Sequence, residues 1–280
     1  MLQKVVDAGR LSGEGQMIEK ALLPINVKFS QKELNAMMHF LQSSNIKTVH
    51  LLHVISEGLE SKDRIQKYLE EVAQTLPTDI KINLEVREGH IATKIAQTAN
   101  DIDTDLVYIM SNRRGFMYQT FLGSTSRDLL RLTDKPVLVH KTRPSLLSGE
   151  TIDKILYATD FGPTAQKALQ YIKKAAQFAG ELYVLHVGSR APDPFEEKKR
   201  QQEVNEKLEN IEKELENYFG YIEPISTVGT PHKAIQKTSE EKKVDVIVLG
   251  RLSRAGPENI LGTTSERVSG CARSSILLIP

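Results

Sequence analysis

The chain contains an internal repeat, and a repeat constrains architecture more strongly than any single motif does. Leu51-Leu-His-Val54 matches Val184-Leu-His-Val187 at an offset of 133 residues, and Gly123-Ser-Thr-Ser126 matches Gly262-Thr-Thr-Ser265 at an offset of 139. Three further matches occur in the same order: residues 20–26 with 154–160, Gly89 with Gly229, and 104–110 with 244–250. A chain of 280 residues has room for two domains. The repeat therefore predicts two divergent copies of one domain.

Within each copy, short apolar runs rich in β-branched residues alternate with longer amphipathic stretches, a pattern typical of βαβ units in a parallel sheet. The runs predict five strands per copy, near 20–26, 48–54, 80–87, 105–110 and 136–140, and near 154–159, 181–187, 222–228, 244–250 and 275–279. Right-handed crossovers would place helices on both faces and a ligand crevice at the carboxyl ends of the strands. The predicted fold class is α/β, with two tandem open five-stranded parallel sheets of Rossmann-like type.

The repeat also sets the expected domain boundaries. We expect an N-terminal extension of unassigned role at 1–19, a first domain at 20–142, a linker at 143–153 and a second domain at 154–280. Within the segment 193–219, apolar residues recur at steps of four and three: Val204, Leu208, Ile211, Leu215 and Tyr218. This spacing favours a core-facing crossover helix over a coiled-coil partner helix.

The overall charge and the cysteine content exclude several classes of protein. The chain has 37 basic and 36 acidic side chains, so its net charge of +1 gives no electrostatic footprint for nucleic acid. A single cysteine, Cys271, excludes an intrachain disulfide and a cysteine-based zinc cluster. No apolar run approaches the roughly 18 residues of a membrane span, and we expect a cytoplasmic protein with no nucleic-acid or membrane partner.

The second copy carries an ordered set of motifs. They are Ala158-Thr-Asp160, Leu185-His-Val187, Val228-Gly-x-Pro231, Asp245-Val-Ile-Val-Leu-Gly250 and Gly262-Thr-Thr-Ser265. In this order and spacing the chain resembles the universal stress protein family over nearly the whole of both copies. The resemblance implies that the last strands of the two copies, 136–140 and 275–279, pair across a pseudo-two-fold axis, so that the chain is its own dimer. This pairing would also cover two exposed apolar edges. Association of two such chains into a homodimer is a further expectation.

The resemblance also implies a ligand, because family members that bind ATP carry Gly-x2-Gly-x9-Gly followed by Ser or Thr, and members without these glycines do not bind it. Such glycines let the backbone approach a phosphate, and the N-terminus of the following helix attracts an anion. A carboxylate at the end of the first strand accepts hydrogen bonds from a ribose or base, or helps to hold Mg²⁺ beside the phosphates. We therefore expect ATP, ADP or AMP as the ligand, with or without magnesium.

In the second copy this motif is nearly complete. Ser253 stands where the second glycine is expected, and the spacing is one residue short. A non-glycine residue in a left-handed backbone costs about 1–2 kcal/mol, which would weaken binding roughly tenfold. Carried over from the family, the base contacts are Ala158, Thr159, Asp160 and Val187, with Gly229 and Leu249 beside them. The phosphate contacts are Gly250, Arg251, Ser253, Gly262, Thr263, Thr264 and Ser265.

The first copy departs further from the motif. Met110 and Arg113 occupy both early glycine positions, and Asn26 replaces the carboxylate. A weaker site there would use Pro24, Asn26, Val54, Arg113, Gly123, Ser124 and Thr125. The alternative, that this loop only packs and Gly123 only begins a helix, is favoured for this copy.

Histidines do not point to catalysis or to a metal. His53 and His186 lie inside apolar strands of different copies, which favours core histidines bonded to the backbone, and His90 and His232 are expected at the surface. The chain lacks the usual hydrolase and phosphoryl-transfer motifs, so we expect no catalytic residue, no metal ligand and no enzyme activity.

The leading hypothesis is a stress-response protein that binds an adenine nucleotide in its second copy and has a regulatory or chaperone-like role. The alternative is a nucleotide-free scaffold that acts through an unknown protein partner. Slow ATP hydrolysis by the second copy is a third, weaker hypothesis.

Overall fold

The computed structural model describes residues 18–25, 29–44, 46–56, 61–76, 79–111, 124–141, 152–251 and 262–280. The first copy contains β1 (Lys20–Pro24), α1 (Gln31–Ser43), β2 (Thr48–Ile55), α2 (Lys62–Thr75), β3 (Lys81–Glu88), α3 (Ile91–Asp101), β4 (Leu106–Ser111), α4 (Ser124–Leu132) and β5 (Val137–Lys141). The second contains β6 (Lys154–Thr159), α5 (Pro163–Ala175), β7 (Glu181–Gly188), α6 (Pro194–Leu215), β8 (Tyr221–Val228), α7 (Pro231–Glu241), β9 (Val246–Gly250), α8 (Thr263–Cys271) and β10 (Ser275–Ile279). All ten predicted strands are confirmed, with ends that differ by at most two residues.

The strands form one continuous sheet in the order β3-β2-β1-β4-β5-β10-β9-β6-β7-β8. Neighbouring strands are parallel within each copy, and β5 pairs antiparallel with β10. The predicted pairing of the two last strands is thereby confirmed, and it joins two five-stranded parallel sheets edge to edge. The strand order reverses between β1 and β4 and again between β6 and β9. These two topological switch points are where open α/β sheets bind ligands.

Each face of the sheet is covered by four helices within the described ranges. Side chains alternate along a strand, so Ile155 and Tyr157 enter one buried cluster while Leu156 and Ala158 belong to the other. Helices α1, α2, α5 and α6 cover the first face, and α3, α4, α7 and α8 cover the second. In the second copy these are called the α5–α6 face and the α7–α8 face.

Helix α6 confirms the predicted core-facing crossover. It begins after Asp193, whose carboxylate accepts hydrogen bonds from the N–H groups of Phe195 and Glu196 at 2.8 and 3.1 Å, as an N-cap residue does. The helix packs against β7 and β8 and buries Val204, Leu208, Ile211 and Leu215. Tyr218 lies beyond the helix and is 40% exposed.

A pseudo-two-fold axis passes through the junction of the two copies. Leu138 and Leu277 are 139 residues apart, the same offset as the glycines before α4 and α8, and they face each other in the middle of the β5–β10 pair. Arg127 and Glu266 share this offset, and Arg127 Nε lies 3.6 Å from Glu266 Oε1. In a dimer of identical copies, one charge would meet itself at such a position. Divergence of the copies has placed opposite charges there instead.

A second contact across the junction has no symmetric counterpart. The ammonium group of Lys141, at the end of β5, donates a hydrogen bond of 2.7 Å to the carbonyl oxygen of Ser269 in α8. A cation near the last carbonyls of a helix is favoured by the helix dipole. The position equivalent to Lys141 in the second copy is Pro280, which has no charge to offer. The junction therefore distinguishes the two copies.

The helices in the described parts of the chain are all too short or too polar to span a lipid bilayer.

We predict that Arg127→Glu lowers the free energy of unfolding by about 0.5–1 kcal/mol, the scale of an exposed ion pair, because two carboxylates then meet near the axis. The double variant Arg127→Glu/Glu266→Arg should regain most of this loss. Urea unfolding at low and high salt measures both effects, and the difference should shrink with salt. A double variant as unstable as the single one would mean that the ion pair does not contribute.

Candidate functional site

The candidate site lies where β7, β6 and β9 end, at the switch point of the second copy. The strand register places Ala158 of β6 between Leu185 of β7 and Leu249 of β9. Val187 follows on β7, and Ala158 and Val187 are both half-buried against the core of the α7–α8 face, which includes Leu249. Three of the predicted base-site residues thus form one apolar surface at the rim of the sheet.

Asp160 opens the turn that follows β6. Its Oδ1 accepts a hydrogen bond of 2.9 Å from the N–H of Gly162, the residue before α5. Between them, Phe161 has φ +58°, a left-handed conformation that is rare for an aromatic residue. Non-glycine residues in this region cluster at functional sites, where surrounding contacts must hold them in place. The turn keeps Asp160 exposed at the rim.

Thr159 occupies a different place from the other predicted base contacts. Its hydroxyl oxygen accepts a hydrogen bond of 3.0 Å from the N–H of Phe161, and the residue is only 6% exposed. By the alternation of β6, its side chain lies on the α5–α6 face, opposite Ala158. The structure therefore assigns Thr159 to the support of the turn and not to the apolar surface.

Both strand histidines bond to the backbone, as predicted, but only His53 is buried in the core, whereas His186 is half-buried. His186 Nδ1 donates to the carbonyl oxygen of Thr159 at 2.9 Å, and His53 Nδ1 donates to that of Ile25 at 3.0 Å. In the second copy this bond ties the end of β7 to the end of β6. His90 is exposed, as expected, whereas His232 is half-buried near the start of α7.

The junction of β9 and α8 is fixed by three hydrogen bonds. The N–H of Arg251 donates to the carbonyl of Ile279 at 2.7 Å, and the N–H of Gly262 donates to the carbonyl of Arg251 at 2.9 Å. The hydroxyl of Ser265 donates to the carbonyl of Gly250 at 2.7 Å. The predicted phosphate contacts Gly250, Arg251, Gly262, Thr263, Thr264 and Ser265 are therefore brought together.

The first turn of α8 is the part of this junction that the sequence motif predicts to bind phosphate. Its N-cap is Gly262, which has no side chain to accept a hydrogen bond from the first N–H groups. Thr263 is exposed and Thr264 is half-buried, whereas Ser265 is buried and its hydroxyl proton is already donated to Gly250. The Ser265 hydroxyl proton is therefore used within the protein, and the predicted phosphate contact of Ser265 would have to come from its backbone N–H.

Gly250 is required by packing as well as by any ligand. A Cβ atom at this position would lie 2.9 Å from Thr164 Cγ2 in the first turn of α5, closer than side chains approach one another. The sequence motif explains this glycine only by the close approach of a phosphate to the backbone. The structure adds a second reason, because α5 packs directly against the end of β9 and leaves little room for a side chain.

The α5–α6 face of the rim carries cations that the sequence analysis did not predict. The Phe161 ring stacks on His186 with centroids 4.4 Å apart, and Lys207 Nζ lies 5.4 Å from the Phe161 ring. Arg200 is held by Glu197 through two hydrogen bonds of 2.9 and 2.7 Å, and this partner is the main reason that the pKa of Glu197 is well below its usual range. On sequence alone, Arg200 and Lys207 look like ordinary members of a solvated helix face.

The remaining predicted residues lie at the margin of the site or outside it. Gly229, with φ +141°, ends β8 and donates its N–H to the carbonyl of Gly188 at 3.0 Å. In the first copy, Pro24 and Val54 are half-buried at the ends of β1 and β2, and Ser124 and Thr125 begin α4. Four predicted positions fall outside the described residues: Asn26, Arg113, Gly123 and Ser253. Within the described ranges, no group of three or more His, Cys, Asp or Glu residues is placed to hold a metal ion.

Burial gives His186 a distinct electrostatic character. Loss of hydration lowers its pKa from the ordinary value of 6.5, and the charges of Arg200 and Lys207 act in the same direction. The hydrogen bond to Thr159 and the charge of Asp160 oppose this shift. The folded protein therefore binds the imidazole proton less readily than the unfolded chain does.

We predict that the contribution of neutral His186 to the free energy of unfolding is fully present above about pH 6.5. It should decrease as the pH is lowered through this value towards the folded pKa of His186. The variant His186→Gln should show a shallower decrease of the unfolding free energy below about pH 6.5, measured by urea unfolding. Some pH dependence of the unfolding free energy should remain in this variant, because burial also lowers the pKa of His232. His90→Gln, which removes an exposed histidine, is the control, and an unchanged slope in His186→Gln would contradict the assignment.

Comparison with known proteins places these features in a family. The model of the Universal stress protein family matches residues 17–141 and again residues 151–280. Universal stress protein MJ0577 of Methanocaldococcus jannaschii is 31% identical over 151 residues, which cover 45% of this chain and 93% of that protein.

Solved structures match nearly the whole chain. A universal stress protein from Archaeoglobus fulgidus DSM 4304 is 24% identical, with a TM-score of 0.65 and coverage of 94% of this chain and 96% of that one. A putative universal stress protein from Pseudomonas aeruginosa UCBPP-PA14 is 18% identical, with a TM-score of 0.70 and coverage of 94% and 93%. These likenesses extend the shared fold over both copies. With two family matches that span nearly all of its residues, the chain belongs to the universal stress protein family.

Proposed function

We propose that the second copy binds an adenine nucleotide, ATP, ADP or AMP, and that the nucleotide acts as a regulatory ligand of a cytoplasmic stress-response protein. One observation carries this proposal. The apolar surface of Ala158 and Val187, the carboxylate of Asp160 and the uncapped start of α8 all meet at a single topological switch point. Ligand crevices of open α/β sheets form at such points.

The apolar surface suits a purine base. Ala158, Val187 and Leu249 belong to one face of the sheet, and the first two are only half-buried. Covering them with a flat aromatic ring would remove apolar surface from water. Asp160 lies next along the chain, exposed at the rim, where a carboxylate accepts hydrogen bonds from ribose hydroxyls.

The start of α8 suits phosphates. The first N–H groups of a helix lack partners within the helix, and together with the helix dipole they attract an anion. Gly262 has no side chain that could accept hydrogen bonds from these groups, and the Thr263 side chain is exposed beside them. The half-buried base-site residues lie on β7 and β6, and the phosphate region follows the end of β9, the next strand in the sheet, so a nucleotide would lie across the rim in this order.

A role as a ligand, not as a rapidly consumed substrate, is part of the proposal. Efficient hydrolysis needs a positioned general base or a metal-bound water. Asp160 accepts the N–H of Gly162, and the described residues offer no cluster of metal-ligating side chains. The proposed ligand would instead stabilise one state of the protein and thereby alter its binding to a protein partner.

The second candidate function is a nucleotide-free scaffold that acts through a protein partner. One contact favours it, because the chain itself uses a donor of the phosphate region. The Ser265 hydroxyl donates to the carbonyl oxygen of Gly250. This contact would reduce affinity for a nucleotide, and direct binding measurements distinguish the two functions.

We predict that Gly262→Asp weakens ATP binding at least about tenfold, which corresponds to about 1.4 kcal/mol, because the new carboxylate would face the phosphates. The fold should survive, since Gly262 has φ −60°, which any residue adopts, and Asp is a favoured N-cap residue. Isothermal titration with ATP and AMP, with and without Mg²⁺, measures the affinity, and thermal unfolding checks the fold.

The matched control is Gly123→Asp at the equivalent position of the first copy, 139 residues earlier. It should leave ATP affinity unchanged, since the first copy lacks the carboxylate and both early glycines of the motif. The proposed ligand would be ruled out if the wild-type protein gave neither heat nor a thermal shift at about millimolar nucleotide. A Kd of about 1 mM corresponds to a binding free energy of only about 4 kcal/mol, so this result would favour the scaffold.

A further inference from the structure

The guanidinium group of Arg251 is buried without hydrogen-bond partners at two of its three nitrogens. The residue is 4% exposed, and neither Nε nor Nη1 has a partner in the described part of the protein. A buried polar group without a partner is unfavourable, and a guanidinium cannot escape by releasing its proton. Its two donors are therefore available to an acceptor from outside the chain.

The Arg251 side chain lies on the same face of the sheet as α8. Leu249 lies on the α7–α8 face, and a Cβ at Gly250 would point at Thr164 of α5, on the opposite face. The N–H of Arg251 continues the ladder to Ile279, so the alternation of the strand returns its side chain to the α7–α8 face. Its carbonyl meanwhile holds the N–H of Gly262. Backbone and side chain of this residue thus belong to the same junction as the open end of the helix.

The charge around Arg251 is incompletely balanced. Burial lowers its pKa, and the nearby carboxylate of Asp134, between α4 and β5 of the first copy, acts in the opposite direction. Asp134 is exposed and makes no hydrogen bond to Nε or Nη1. The planar guanidinium presents these two donors in a fixed geometry that matches the oxygens of a phosphate.

The position of Arg251 along the sheet indicates which phosphate it would meet. Val187 is on β7, and Arg251 lies between the ends of β9 and β10, so two to three strand spacings of about 4.8 Å separate them, roughly 10–14 Å. A nucleoside whose base covers Val187 and Ala158 would bring its α-phosphate to β9. Only further phosphates would extend towards β10 and the first copy.

We infer that Arg251 is the residue that selects nucleoside di- and triphosphates over monophosphates, by binding the phosphates beyond the first at the junction of the two copies. This inference rests on the proposed nucleotide site and assigns its specificity. The second phosphate-binding group is the first turn of α8, and Asp134 is the first-copy residue that the bound phosphates would face. The preference for ATP over AMP therefore depends on one side chain.

The test compares ATP, ADP and AMP affinities by isothermal titration for the wild type, Arg251→Met and Arg273→Met. Methionine replaces the buried charge with an apolar chain of similar length, so the ligand-free variant should melt no lower than the wild type. Arg273 is the control, because its side chain lies in the same copy and is 65% exposed. We expect the wild type and Arg273→Met to prefer ATP over AMP by about tenfold or more, and Arg251→Met to bind both within about threefold.

The outcomes separate this inference from the proposed function. If wild-type protein binds nucleotides and Arg251→Met keeps the same ratio of ATP to AMP affinity, the nucleotide site stands and the role of Arg251 is refuted. A merely structural role would weaken both ligands equally and leave the ratio intact. If wild-type protein binds no nucleotide, inorganic pyrophosphate becomes the probe in thermal unfolding. A pyrophosphate shift lost in Arg251→Met would then support the anion site, and no shift in the wild type would overturn it.

Discussion

The antiparallel pairing of β5 with β10 is the contact on which the arrangement of the molecule depends. Each copy has an open parallel sheet, and an exposed apolar strand at its edge is a site for unwanted pairing. The five residues of β5 and the five of β10 are all buried in the joined structure. Because the two partners are parts of one chain, the effective concentration of each for the other is high. The join needs no second molecule.

This pairing also determines which parts of the two copies lie close together. In an antiparallel pair, the carboxyl end of one strand lies beside the amino end of the other, so the carboxyl ends of the two parallel sheets lie at opposite edges of the joined sheet. The rim of the second copy consequently approaches the segment between α4 and β5 in the first copy, where Asp134 lies. The first copy thus contributes to the neighbourhood of the second site even if its own crevice is degenerate.

The sequence was sufficient to predict the architecture because each level of information agreed. Apolar runs located the strands, the repeat set their number, and the resemblance to a family supplied the pairing of the last strands. The role of Thr159 was harder to predict from the sequence, because it depends on the left-handed backbone conformation of Phe161. An aromatic residue gives no indication of that conformation. The burial of Arg251 was not predictable either, since an arginine after a glycine is normally a solvated loop residue. Its setting depends on β10 and on the first copy, which are remote in sequence.

The position of β10 inside the sheet has a consequence for synthesis on the ribosome. Leu277 follows its partner Leu138 by 139 residues, so at roughly 5–20 residues per second the β5 edge stays uncovered for about 7–28 seconds. During that interval the nascent first copy would present a row of unpaired amide and carbonyl groups on an apolar strand, open to chaperones or to a neighbouring nascent chain. The duplication that makes the finished molecule self-sufficient leaves its first half dependent on protection while the second half is being made.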